Sequence, residues 1–202
     1  MRAFLGWAGK KRYVADDLTV KRVKVAQNPV VALSCAQVRR LLITAAKYPT
    51  LRLRILLAVT TGLRRGDIDA IRVGDVLVDR NAITTRSRKS RKAMAERPIP
   101  EAITTELSNH VADRPDGHQS LFTDRFSRKK WYKTRSNAGF PDLKFHDLRK
   151  TFASLLAQRG VSTAVTQRLL DHSTPLLTNE VYTNVDPVLR QAVEKLPVAE
   201  WL

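Results

Sequence analysis

The sequence predicts a mainly α-helical chain with a small antiparallel β-sheet, an α+β arrangement. Three observations carry that expectation. Apolar residues recur at helical spacing in VRRLLITAAK, LRLRILLAVT and DLRKTFASLL. Capping residues stand where helical segments begin. Short β-type runs around a turn appear in one region, VGDVLVDRNAITT and the residues 96–99 beyond it. The chain has 202 residues, 43% of them hydrophobic, which suits one good-sized core.

Residues 1–30 begin with an apolar-aromatic stretch (Phe4, Leu5, Trp7, Ala8) that reads as the last turns of a helix. Basic KRVKV follows, and Asn28-Pro29 marks a boundary. This segment is too short for a core of its own and reads as the tail of a preceding domain plus a linker. Ser34 then opens the main domain, 31–202, with a capping box to Gln37 ahead of VRRLLITAAK. The segment 51–60 is apolar along most of its length, as a central buried helix would be. It stops at Thr61-Gly62, and LRRGD starts a short helix through IDAIRV. Strands are expected on either side of Asp79-Arg80-Asn81, with a third at 96–99. Pro100 suits the first turn of a helix over 101–111, and DRPDGHQS is a loop. Ser127 caps a basic helix ending near Gly139. Further helices run from about His146 to Gly160 and from Ser162 to about Leu170. A short helix starts at Thr174-Pro175 and carries Tyr182. The last begins at Asp186-Pro187 and leads into an amphipathic end with Trp201-Leu202.

Charge is the strongest global property. Lys and Arg number 36 against 19 Asp and Glu, a formal +17. Such an excess favours a polyanion and binding by counterion release. The basic residues are clustered: Arg86, Arg88, Lys89, Arg91 and Lys92 in RSRKSRK, and Arg128, Lys129, Lys130, Lys133 and Arg135 around Trp131 and Tyr132. No apolar run approaches the length of a membrane span, and no amphipathic anchor accompanies the basic patches. The single cysteine, Cys35, excludes an internal disulfide framework and fits a reducing compartment.

The chemistry-bearing residues concentrate between Phe145 and Asn184. His146 and Arg149 stand at i, i+3 on one helix face; His172 follows at a helix end and Tyr182 ten residues later. A guanidinium fork and an imidazole suit a phosphate, and a tyrosine brought to it can act as nucleophile. Thr61–Asp67, TGLRRGD, supplies a further arginine, with Arg64 and Arg65 both open for the role. Asp67 can orient that arginine or a histidine. A lysine of the basic tip, Lys89 with Lys92, Arg88 and Arg91 as rivals, can protonate a departing oxygen. Together these point to phosphoryl transfer on DNA through a phosphotyrosine. A metal site has little support, because there is no HExxH and no cysteine pair.

In order, TGLRRGDIDAIRVGDV, the lysine-bearing hairpin, HDLRKTFASLL, LLDHS and the final tyrosine resemble the catalytic domain of the tyrosine recombinases, the phage-integrase family, over roughly residues 32–196. The resemblance implies that Arg64 and Arg149 clamp the scissile phosphate and that Lys89 is the general acid. His146 and His172 match the two box histidines. Tyr182 matches the nucleophile, forming a 3′-phosphotyrosyl link and releasing a 5′-hydroxyl. Asp67 falls where members often carry Glu or Asp. No ATP, metal or organic cofactor is implied. The partner is double-stranded DNA, with two protomers per site and four in the synapse, in a prokaryotic cytoplasm or from a phage or mobile element.

The sequence also departs from the family pattern. His172 and Tyr182 are ten apart with Pro175 between them, one more than in many members. Asp171 replaces the usual small residue before His172. Members usually carry a helical core-binding domain first, and residues 1–30 are expected to be its remnant plus a linker. The amphipathic end is of the kind that often docks on a neighbouring protomer in this family; the alternative is packing on its own domain. Two other functions stay open: a DNA-binding protein of the same fold that no longer cuts, and type IB topoisomerase-like strand breakage.

Overall fold

The fold is built around one apolar helix. In the computed structural model, α3 (Pro49–Thr61) is buried along nearly its whole length. Pro49 starts it at a position where its missing N–H costs nothing, and Gly62 ends it in the left-handed region at φ +64°. The structure describes residues 2–14, 32–85, 95–112, 114, 116–170 and 187–202. The basic tip at 86–94 and the segment 171–186 lie outside the described residues, as does the linker at 15–31.

Two helices flank α3. The first, α2 (Cys35–Ala45), buries Val38, Leu41, Leu42 and Ala45. Its expected capping box is present: Gln37 N–H donates to Ser34 Oγ, and Ser34 N–H donates to Gln37 Oε1 at 2.8 Å. The second, α7 (Asp147–Gln158), buries Leu148, Phe152, Leu155 and Leu156 in the same core. Before α2, the described start of the chain forms α1 (Arg2–Lys10).

After Gly62, α4 (Arg65–Ile68) is shorter than the sequence expects. Residues 71–74 are taken instead by backbone pairing with the loop at 116–121. Leu121 N–H donates to Ile71 O and Val73 N–H to Gln119 O, both at 2.9 Å. Gly74 and Gly117 pass so closely that a Cβ on Gly74 would sit 3.1 Å from the Gly117 oxygen.

The sheet has the order β1 (Val76–Leu77), β2 (Ala82–Thr85), β3 (Ala95–Pro98), antiparallel throughout. The turn falls at 78–81, with Asn81 left-handed at φ +45°. Ile83 pairs with Val76 on one side and Arg97 on the other. The third strand starts one residue earlier than expected, and Ile99 N–H still reaches Asn81 O at 2.9 Å.

The helices α5 (Glu101–Val111), α6 (Arg128–Asn137) and α8 (Thr163–Leu169) complete the body, with Ser127 and Ser162 as N-caps where expected. α9 (Pro187–Glu194) packs against β3 and α8. The tail beyond it turns through a 3-10 segment, Val198–Glu200, against α5. Leu196, Val198 and Trp201 are buried there, so the amphipathic end lies on its own chain. No described helix is long and apolar enough to cross a membrane.

A single buried cation pins α3. Arg54 donates Nε to Asp69 Oδ1 at 2.8 Å and Nη1 to Asp124 Oδ1 at 2.9 Å, while its guanidinium lies 3.9 Å over the Phe122 ring. Burial pushes the Asp124 carboxyl up, but hydrogen bonds from Arg54 and Thr50 outweigh it and hold the group below its ordinary value.

Candidate active site

The site grows from the break after α3. The Thr61 hydroxyl donates to Leu57 O at 2.6 Å and accepts the Leu63 N–H at 3.2 Å, so it holds the turn on both sides. The left-handed Gly62 sends the chain sharply away from α3. A Cβ there would lie 2.5 Å from Phe152 Cδ1 and 2.6 Å from Leu170 Cδ2. Only glycine fits, both for its φ and for this space. Arg64 then stands at the N-cap of α4, half exposed, its Nη1 3.9 Å from Asp67 Oδ2.

Arg149 reaches the same turn from α7. It is 7% exposed. Its Nη1 donates to the Gly62 carbonyl at 2.6 Å, and its Nη2 donates to the Leu170 carbonyl. A guanidinium has five N–H groups, so these bonds leave others for a ligand oxygen. Burial, and then the charge of Arg64, pull its pKa down to about 10, with Asp67 opposing. The group stays charged at neutral pH, and two cations share one corner of the fold.

His146 precedes α7 by one residue. Burial lowers its pKa from the ordinary 6.5, and the charges of Arg149, Lys150 and Arg64 push the same way, against Asp147. Its backbone is held on either side. Asp147, buried, accepts the Lys144 N–H at 3.0 Å and pairs with Lys150 Nζ at 2.8 Å. Phe145 packs edge-on to Phe126 and Trp131, with ring centroids 5.2 and 5.3 Å apart. The basic helix α6 thus contributes a buried Trp131 to the wall behind His146.

Arg64 and Arg65 have different surroundings. Arg65 lies 4.8 Å over the Phe126 ring, engaged with the aromatic wall. Arg64 is the arginine whose charge acts on both His146 and Arg149. On α6, Arg128, Lys129 and Lys133 are exposed. Lys130 is drawn to Asp124 at 3.6 Å, and Arg135 Nη1 donates to Leu143 O at 2.6 Å. Arg86, Arg88, Lys89, Arg91, Lys92, His172 and Tyr182 lie outside the described residues.

Residues 32–188 match the phage integrase family. The chain belongs to that family. Among its relatives is the tyrosine recombinase XerA of Thermococcus kodakarensis, 32% identical over 197 residues, which cover 91% of this chain and 68% of the relative. The chain spans little more than half of some other curated relatives, 55% of the Pyrococcus furiosus XerA. The catalytic domain of bacteriophage HP1 integrase is similar in fold, with a TM-score of 0.59 at 22% identity, over 83% of this chain and 89% of that one. A lambda integrase dimer bound to a COC′ core site gives 0.61 at 19% identity, over 89% and 72%. The expected mainly helical fold with a three-stranded antiparallel sheet is therefore that of the family's catalytic domain.

Sequence reasoning missed some residues that shape this region. Arg54 stands in a segment read as apolar along most of its length, as a central buried helix would be. Arg97 lies on β3 and is 6% exposed. Its signal was its position two residues before the buried Ile99, on the inward face of the strand. Asp147 was passed over between the His and the Arg that it helps to hold.

Proposed function

We propose that residues 31–202 form the catalytic domain of a site-specific DNA recombinase or integrase, and that residues 1–30 are what precedes it of a core-binding domain and linker. The observation that carries this is the convergence of Arg64, His146 and Arg149 at the Gly62 turn, two cations and an imidazole with a lowered pKa. Like charges held together cost energy until an anion arrives, so the corner suits a phosphodiester.

In the reaction, the Tyr182 oxygen attacks the scissile phosphorus and the bond from phosphorus to the 5′ oxygen breaks. Lys89 gives that oxygen its proton. Arg64 and Arg149 neutralise the non-bridging oxygens as charge builds on them. His146 and His172 hold an oxygen or move the tyrosine proton, and Asp67 steadies Arg64. The product is a 3′-phosphotyrosyl link and a free 5′-hydroxyl. Rejoining reverses the step with a second 5′-hydroxyl, so the bond energy is conserved and ATP is not required.

Double-stranded DNA is the partner, as the charge of +17 favours. Arg128, Lys129 and Lys133 on α6, with Arg86, Arg88, Arg91 and Lys92 of the tip, meet its backbone. A full cycle uses four protomers in the synapse, in the prokaryotic cytoplasm.

Covalent capture tests the reading. The protein is mixed with nicked duplexes of random sequence, so that cleavage loses a short product and traps the adduct. A denaturant-resistant adduct that Tyr182→Phe abolishes is expected. Salt-sensitive DNA binding without any adduct, also with a core-binding domain fused at Met1, would favour a non-cutting relative.

A further inference from the structure

A second buried guanidinium stands beside the site, and it belongs to neither the clamp nor the basic patches. Arg97 on β3 donates Nε to Thr85 Oγ1 at 3.0 Å and Nη1 to the Leu169 carbonyl at 2.5 Å. Arg149 takes the next carbonyl, that of Leu170. The last turn of α8 therefore ends on two arginines from different elements. Cations at a helix C-terminus suit its partial negative charge. Burying two of them there is more than the helix end itself requires, since water or a following glycine can satisfy such carbonyls.

The position of Thr85 explains the second one. Thr85 is the last residue of β2 and pairs with Ala95, the first of β3. The nine residues between them, 86–94, include Lys89. Arg97 therefore ties the base of this hairpin to the end of α8, the carbonyl next to the one Arg149 holds. Strand pairing alone fixes β2 against β3 but does not fix the pair against the helices. A rigid planar fork with one arm on each does.

We infer that Arg97 is a positioning residue: it sets the base of the hairpin against the Arg149 corner, so that Lys89 meets the leaving oxygen of the phosphate clamped there. This rests on the phosphotyrosine reading above. It assigns Arg97 to one part of the reaction, protonation of the 5′ oxygen, and not to phosphate binding.

That division gives a sharp test. Duplexes of the captured sequence are made with either oxygen or sulfur at the 5′ bridging position of the scissile phosphate. In the sulfur form the Tyr182 oxygen bonds to phosphorus and the sulfur departs as a thiolate with its electron pair, needing no proton. Adduct formation is timed in a single turnover for the full chain, Arg97→Gln and Lys89→Ala, with thermal unfolding of each. Arg97→Gln should form adduct about 100-fold more slowly on the oxygen substrate, the scale of a lost general acid. On sulfur it should run within several-fold of the unsubstituted chain, as Lys89→Ala should. Equal slowing on both substrates, or no slowing on either, overturns the assignment. Should Arg97→Gln fail to fold, Thr85→Val removes the hairpin acceptor at nearly constant volume and must show the same split, smaller in size. If neither the unsubstituted chain nor its fusion to a core-binding domain at Met1 captures either substrate, the phosphotyrosine reading itself falls, and the role of Arg97 with it.

Discussion

The Arg149 guanidinium donates to the Gly62 carbonyl at 2.6 Å, across 87 residues of sequence. One backbone oxygen thus joins the turn that aims Arg64 to the helix that carries Arg149. The spacing of Arg64 and Arg149 is set by a glycine that makes no contact through a side chain.

Gly62→Ala should damage the fold before it damages any chemistry. The left-handed φ of +64° and a Cβ 2.5 Å from Phe152 Cδ1 act together. The strain and overpacking should cost about 2–5 kcal/mol. Urea unfolding checks this; a change below about 1 kcal/mol would show that the turn relaxes easily.

Arg149→Lys separates charge from geometry. A lysine keeps the cation but cannot serve the Gly62 and Leu170 carbonyls together with a phosphate. Strand cleavage should fall about 10²–10³-fold, the scale of one lost transition-state donor. DNA affinity in a gel-shift assay should hardly change.

Arg64 and Arg65 should part company. Arg64→Ala removes a cation that acts on His146 and Arg149, so cleavage should drop as steeply as for Arg149→Lys while stability holds. Arg65→Ala removes the contact with Phe126, worth about 0.5–1 kcal/mol of stability. Its cleavage should stay within about tenfold, since its contact is with the wall behind His146.

His146 offers a pH signature. In the free protein its pKa lies below 6.5, chiefly through burial and then through Arg149 and Lys150. A bound phosphodiester adds negative charge beside it and raises that value. Between the two values binding takes up a proton, so DNA affinity should strengthen as pH falls through that window. The imidazole carbon resonance of His146, titrated with and without duplex, checks both statements. An unchanged midpoint contradicts the placement of the phosphate.

Asp124 gives the corresponding stability test. Its pKa is depressed in the fold, so its contribution is present above the unfolded value and is lost as pH falls through the folded one. Asp124→Asn should cost about 1–2 kcal/mol at pH 7 by weakening the hold on Arg54. The difference should vanish in acid, below the depressed value, in urea unfolding.

Much of this was legible in the sequence because it is local. The Ser34–Gln37 capping box, Gly62 at the end of α3, and the Ser127 and Ser162 caps all act within a few residues of their partners. His146 and Arg149 share one helix turn, and their pairing follows from spacing alone. What the sequence hid is long-range. The pairing of residues 71–74 with 116–121 depends on two glycines far apart in the chain. Arg54 and Arg97 look like surface charges until the fold places Asp124 and Leu169 beside them. Arg64 and Arg65 cannot be told apart by periodicity, because Phe126, which engages Arg65, comes from a distant loop.

The most direct test of the phosphotyrosine account is to locate the nucleotide on the chain. Adduct from the capture experiment is digested with nuclease and protease, and the peptide bearing the residual nucleotide is sequenced by mass spectrometry. The account predicts a phosphonucleotide on Tyr182, with Arg64→Ala and Arg149→Lys reducing its yield. A nucleotide on any other residue, or a yield indifferent to both arginines, would contradict it.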